Sequence, residues 1–140
     1  MNDIIVGVDQ TATAQRAAHA AAALASSCAA NLHVMTCIRR DASYESGANR
    51  DPRNIDSISE AETFLRRLKE QLPHDQVTFA VGLGNPATAM CDEATRLQAR
   101  MIVVGNRRVQ GASRVLGSIA ADVTKRADCD VLIANTANGH

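Results

Sequence analysis

Short apolar runs alternate with helical segments along this chain, and this alternation constrains its fold more than any other feature. Runs rich in valine and isoleucine predict five strands, at Asp3–Val8, Leu32–Ile38, Val77–Val81, Met101–Val104 and Val131–Ala134. Helical patterns between them predict four helices, at Ala14–Ala25, Ser59–Gln71, Pro86–Gln98 and Ser118–Arg126. Strands and helices at this spacing are typical of a parallel sheet with helices on both faces. The sequence therefore predicts a doubly wound α/β fold.

Local signals set two of the helix starts. Ser59 and Glu62 fit a capping box, and Asn85 followed by Pro86 fits an N-cap and a first helical residue. The stretch from Arg39 to Asn54 carries charged residues, glycine, asparagine and proline without any periodicity. It is long for an internal connection, so we expect it to be mobile.

Length and charge limit the classes of protein to which the chain can belong. Its 140 residues, 46% of them apolar, predict a single domain over residues 1–140. Lysine and arginine together number 15, and so do aspartate and glutamate, so the formal net charge is zero. This balance argues against a broad nucleic-acid-binding or membrane-binding surface. Asp3 and Asp9 interrupt the first segment, and no run is long enough to span a membrane, so we expect a cytoplasmic protein.

The cysteines and histidines show no spacing typical of a metal site. The four cysteines lie far apart and form no C-x-x-C motif, so they are predicted to be buried free thiols: Cys28, Cys37, Cys91 and Cys129. The four histidines have no obvious nucleophile partner and are assigned no function: His19, His33, His74 and His140. No metal site is predicted.

A glycine-rich and arginine-rich loop joins the fourth predicted strand to the last helix. The strand stops at Gly105, and the helix starts at Gly117 and Ser118, where unpaired N–H groups suit an anion, most simply a phosphate. In doubly wound sheets, ligands bind outside the carboxyl ends of strands where the strand order reverses. With a strand order of 3-2-1-4-5, Asp9 and Gly105 flank one such crevice.

Other phosphate and catalytic motifs are missing. Gly82–Ala87 formally fits a G-x-G-x-x-A pattern, but no ribose-binding acid follows about twenty residues later. No P-loop and no G-x-S-x-G elbow occurs. We therefore predict no catalytic residue and no enzymatic activity.

Several short motifs in register resemble the universal stress protein family, and together they span nearly the whole chain. They are Val6-Gly7-Val8-Asp9, Gly84-Asn85-Pro86-Ala87, Ile102-Val103-Val104-Gly105-Asn106, Leu116-Gly117-Ser118 and Cys129-Asp130-Val131-Leu132-Ile133. The resemblance implies a five-stranded flavodoxin-like, Rossmann-like sheet and a regulatory role in the stress response. It also implies a homodimer through the last strand (Val131, Leu132, Ile133) and, in some members, binding of ATP, AMP or a cyclic nucleotide.

The resemblance implies a nucleotide site made of Asp9, Cys37, Gly105, Arg107, Arg108, Gly117 and Ser118. Asp9 is expected to bind the nucleoside, and Cys37 to line the base pocket. Arg108 stands where the ATP-binding branch has a glycine, and the following stretch is one residue shorter. An arginine there has to fold aside or take over the phosphate contact. ATP or AMP is the expected ligand, with the need for magnesium left open.

Two interpretations remain open at this point. In the first, an adenine nucleotide fills the crevice and changes the stability of a dimer or its affinity for another protein. In the second, the same fold binds no nucleotide and acts as a homodimeric interaction module through Val131–Ala134. Asp9 and Ser118 also fit plain capping roles, and Arg107 and Arg108 also fit a solvated loop face.

Overall fold

The computed structural model of the chain describes residues 2–9, 12–38, 52–106 and 116–136. These residues form strands β1 (Asp3–Gly7), β2 (Asn31–Ile38), β3 (Val77–Leu83), β4 (Met101–Asn106) and β5 (Asp130–Asn135), and helices α1 (Ala12–Cys28), α2 (Pro52–Gln71), α3 (Pro86–Leu97) and α4 (Ser118–Arg126). The strands pair in parallel, in the order β3-β2-β1-β4-β5. The predicted doubly wound fold and strand order 3-2-1-4-5 are confirmed.

Two apolar layers sandwich the sheet. One layer lies under α1 and α2 and includes Val6 and Val103. The other lies under α3 and α4 and includes Ile5 and Ile102. Neighbouring residues of the central strands point to opposite layers, which explains why these strands are apolar along their whole length.

Helix α1 packs against the middle of the sheet through alanines. Five of them are fully buried in one layer of the core: Ala17, Ala18, Ala21, Ala22 and Ala25. Small side chains let the helix backbone approach the strands closely, so the alanine-rich sequence serves packing on the sheet. In the described parts of the chain, no helix is both long and apolar enough to cross a bilayer.

Helix α2 begins earlier than the sequence predicted. Its first residue is Pro52, so the predicted capping box is wrong: Ser59 lies inside the helix, and its carbonyl accepts a hydrogen bond from Thr63 Oγ1 at 3.0 Å. Proline suits a first helical position because its φ is preset and no N–H is lost there. The expected mobile connection thus loses residues 52–54 to a helix, and its remaining residues, 39–51, lie outside the described part.

Strand β4 continues through Gly105 to Asn106, two residues past its predicted end. A Cβ on Gly105 would lie 3.0 Å from Thr136 Cγ2 and 3.2 Å from Ala17 Cβ. The absence of a side chain therefore lets α1 pack on this end of the sheet. Gly105 has a structural reason to be glycine, independent of any ligand.

The cysteines are all free, as expected, but the prediction that they are buried is wrong. Cys28 is exposed, because it is the last residue of α1, and Cys37, Cys91 and Cys129 are only partly buried.

Candidate functional site

A pocket opens at the carboxyl edge of the sheet, and we call it the edge pocket. Its volume is about 190 Å³, and it is lined by Gly7, Val8, Asp9, Ala14, Met35, Cys37, Pro86, Met90, Val104, Gly105 and Ile119. Pockets that enclose a whole drug-sized ligand usually measure about 300–1,000 Å³. The edge pocket therefore suits part of such a ligand, with the remainder outside its mouth.

Three of the seven predicted site residues line this pocket: Asp9, Cys37 and Gly105. They come from the ends of β1, β2 and β4, which are neighbours in the sheet. Gly117 and Ser118 lie at the start of α4, immediately before the pocket-lining Ile119. Arg107 and Arg108 lie outside the described residues.

The position of Cys37 places two backbone groups beside the pocket. The carbonyl of Met35 accepts from Val8 N on the β1 side, and the carbonyl of Ile38 accepts from Gly84 N on the β3 side, both at 2.8 Å. Consecutive residues of a parallel strand turn their backbone groups to opposite neighbours, so the N–H and C=O of Cys37 face the β1 side. The register of β1 ends where Gly7 meets Met35. The N–H and C=O of Cys37 therefore lie beyond the last residue of β2 that pairs with β1, as a donor and an acceptor next to each other.

The Cys37 thiol is not suited to nucleophilic chemistry. Burial raises the pKa of this thiol above its ordinary value. The protonated form is the weaker nucleophile, so the side chain acts as a small apolar wall of the pocket.

Among the described residues, no side chain caps the start of α4. Its N-cap is Gly117, which has no side chain to accept a hydrogen bond. Helix α3 starts at the same edge of the sheet but is capped, because Asn85 Oδ1 accepts from Thr88 N at 3.0 Å. Open first-turn N–H groups next to a pocket favour a bound anion.

Asn106 is a residue that the sequence analysis did not include in the site. Its Oδ1 accepts from Gly117 N at 3.2 Å, and its side chain is buried. This bond links the end of β4 to the start of α4 and so fixes where the loop between them begins and ends. The signal was present in the sequence as a polar residue closing an apolar strand.

The apolar lining of the pocket was also missed. Met35 and Met90 are both buried and contact it, together with Pro86 and Val104. In the sequence these residues are indistinguishable from ordinary core, because only the packing of α3 on β1 and β2 brings them to the same place.

His33, to which no function was assigned, is buried and belongs to a polar network that reaches the surface at Thr78 and Arg96. Its Nε2 donates to Glu93 Oε2 at 2.8 Å, since an ionised carboxylate can only accept. Its Nδ1 is 2.6 Å from Thr78 Oγ1, and Arg96 Nη2 donates to Glu93 Oε2 at 3.0 Å. The network connects β2, β3 and α3 and satisfies a histidine that is only 6% exposed.

The network predicts a loss of stability in acid. The hydrogen bond from Arg96 lowers the pKa of Glu93 below its ordinary value, partial burial opposes this, and the hydrogen bond from His33 lowers the pKa further. A carboxyl whose pKa is lower in the folded state stabilises the fold above its unfolded pKa of about 4.3, and this contribution disappears as pH falls through the folded pKa. We expect the free energy of unfolding, measured with urea between about pH 5 and pH 3, to fall more steeply for the wild type than for Glu93→Gln.

The matched control for this prediction is Glu62→Gln, which neutralises an exposed carboxylate on α2. Its unfolding free energy should follow the wild-type curve. Parallel pH curves for wild type and Glu93→Gln would contradict the prediction.

Among the described residues, no three histidine, cysteine or carboxylate side chains come close enough together to hold a metal ion. Within the described lining of this pocket, the polar groups are backbone amides, the Asp9 carboxylate and the protonated Cys37 thiol. This set is suited to hydrogen bonding with a small organic ligand.

Comparisons with known proteins agree with this architecture. A universal stress protein in complex with cAMP is 24% identical, with 96% of this chain and 97% of that one covered and a TM-score of 0.78. The Archaeoglobus fulgidus universal stress protein in complex with dAMP is 20% identical, covers 95% and 97%, and has a TM-score of 0.71. Universal stress protein UspA from Lactobacillus plantarum is also 20% identical, with the same coverages and TM-score.

At these identities the solved structures show a shared fold. The family follows from a separate comparison, in which the model of the universal stress protein family matches residues 1–135. The chain belongs to the universal stress protein family.

Proposed function

We propose that this protein is a regulatory protein that binds an adenine nucleotide of the AMP or ATP type in the edge pocket. The observation that carries the proposal is the convergence of Asp9, Cys37 and Gly105 on one pocket that adjoins the start of α4, which no described side chain caps. Two relatives of the same fold are complexes with cAMP and dAMP, which supports an adenine nucleotide as the ligand class.

The pocket is divided in a way that suits such a ligand. The backbone N–H and C=O of Cys37 offer a donor and an acceptor that match the edge of a purine base. Met35, Met90 and Val104 provide apolar surface for its faces. In this proposal Asp9, which lines the pocket, accepts from the sugar, and the first-turn amides of α4, beginning at Ser118, donate to a phosphate.

We also propose that the protein acts by binding and not by catalysis, as a single domain and in the cytoplasm. The four free thiols support a reducing compartment. Membership of the universal stress protein family supports a role in the stress response. We propose a homodimer through Val131, Leu132 and Ile133 of β5, an edge strand whose pairing with a second copy would extend the sheet.

The test is ligand-dependent melting. With AMP at one hundred times its Kd, stability is expected to rise by about 2.7 kcal/mol, which corresponds to an increase in Tm of roughly 8 °C for a chain of this size. ATP and cAMP, each with and without Mg²⁺, establish which nucleotide is preferred and whether the metal takes part.

A second measurement uses the protein as purified. The chain has no tryptophan and one tyrosine, so the absorbance of released adenine is easy to detect after denaturation. An unchanged Tm with all three nucleotides, together with no released adenine, would contradict the proposal and favour the nucleotide-free interaction module.

A further inference from the structure

Met90 occupies the space next to Gly7 that any other side chain at that position would need. A Cβ built on Gly7 overlaps Met90 Sδ and lies 3.0 Å from Met90 Cε. Both residues line the edge pocket, Gly7 from β1 and Met90 from α3. The thioether thus lies directly against β1, in the part of the pocket wall that these two residues share.

Met90 is the longest of the three buried side chains of α3. The other buried residues of the helix are Ala87 and Ala94, one turn to either side. Met90 is 3% exposed and packs in the same apolar layer as Met35 and Val104. Because the other two buried residues of the helix are alanines, the length and rotamer of Met90 determine how much space the helix leaves for a ligand in the edge pocket.

We propose that Met90, held over Gly7, sets the depth of the edge pocket and is the residue that limits the size of the ring bound there. The inference rests on the proposed function, because it concerns the same pocket and AMP is the probe. A thioether also makes favourable contacts with an aromatic ring, so Met90 both limits and stabilises the ligand.

Methyl NMR of the wild-type protein tests this without any substitution. The chain has four methionines, so ¹³C-methyl labelling gives at most four resonances. AMP is expected to shift the signals of Met90 and Met35. Met101 is an internal reference, because it begins β4 at the opposite edge of the sheet, where it pairs with Ile4 and Asp130. Bound AMP that leaves the Met90 methyl unmoved would overturn the inference.

A double-mutant cycle tests the coupling between the two residues. Gly7→Ala forces Met90 to move, and we expect it to move into the cavity, because this is the open space beside it. AMP affinity is therefore expected to fall by about tenfold or more. In the Met90→Ala background the added methyl group meets no sulfur, and Gly7→Ala should change affinity by less than about twofold. An equal loss in both backgrounds, or no loss in the first, would overturn the proposal.

Gly84→Ala is the matched control. Gly84 has a φ of +91°, so alanine strains the backbone there, but a Cβ at this position has no atom of the described residues within 4 Å. It is not one of the pocket-lining residues. The variant is expected to lower Tm and to keep wild-type AMP affinity, which separates a general loss of stability from a change in the pocket.

Xenon distinguishes failure of the inference from failure of the proposed function. If AMP neither raises Tm nor binds in isothermal titration, the nucleotide proposal fails, and the pocket is probed with xenon, which enters apolar cavities. Xenon is then expected to shift the Met90 methyl in the wild type and to shift it far less in Gly7→Ala. Equal shifts in both proteins, or none in the wild type, would overturn the depth-setting role of Met90.

Discussion

Replacing Gly117 with leucine is expected to weaken AMP binding by about tenfold or more while the fold stays intact. Gly117 has φ −61° and ψ 158°, an extended conformation that any residue adopts. Within the described part of the chain, a Cβ there meets only Asn106 Oδ1, at an ordinary contact distance of 3.4 Å. The backbone therefore tolerates the substitution, and the added side chain instead affects the ligand group that approaches the start of α4.

The expected loss has a direct physical cause. A leucine side chain at the N-cap brings apolar bulk to the first-turn amides and hinders a phosphate from reaching them. A tenfold loss corresponds to about 1.4 kcal/mol, which is the size of one charge-assisted hydrogen bond. Isothermal titration with AMP measures the loss, and circular dichroism melts check the fold.

Ala23→Leu is the control for this substitution, because it adds a leucine on the exposed face of α1. Its AMP affinity should equal that of the wild type. If Gly117→Leu also binds AMP as tightly as the wild type, the phosphate does not lie at the start of α4, and the proposed site is misplaced at that end.

The fold was largely predictable because its determinants are local. The alternation of strand and helix patterns predicted the layers, and Asn85 with Pro86 predicted the start of α3, which the structure confirms. Helix α2 shows where local signals compete: Ser59 and Glu62 have the form of a cap, but Pro52, seven residues earlier, is the first helical residue.

The site was predictable only in part, because its walls come from distant parts of the chain. Asp9 and Gly105 were placed in one crevice through the strand order, a general property of doubly wound sheets. Asn106 and Met90 depend on particular packing distances that periodicity does not encode. His33 is a similar case, since its partner Glu93 is 60 residues away and is brought to it by the seating of α3 on β2.

Replacing Leu132 with aspartate is expected to convert a homodimer into a monomer. β5 is the last strand of the sheet, and within the described residues it pairs only with β4. Leu132 lies near the middle of this six-residue strand and is 39% exposed, whereas the flanking Val131 and Ile133 pack on the layer under α3 and α4. A second copy pairing antiparallel along this edge would cover Leu132.

The size of the effect follows from the symmetry of such a dimer. In an isologous interface, a residue near the middle of the strand lies close to its own copy. Two aspartates then lose water and repel each other, and the dimer Kd is expected to rise by about a hundredfold or more, which is about 2.7 kcal/mol. Analytical ultracentrifugation across a concentration series measures this Kd.

Leu116→Asp provides a closely matched control. Leu116 is 40% exposed, almost the same as Leu132, but it lies just before α4 at the carboxyl edge of the sheet and not on β5. The same charge there should leave the dimer Kd within about twofold of the wild type, because it meets no partner strand. A dimer that survives Leu132→Asp, or one that both substitutions weaken equally, would place the interface elsewhere. Because the lining of the edge pocket comes from a single chain, Leu132→Asp should retain wild-type AMP affinity, so that dimer formation and ligand binding can be measured independently.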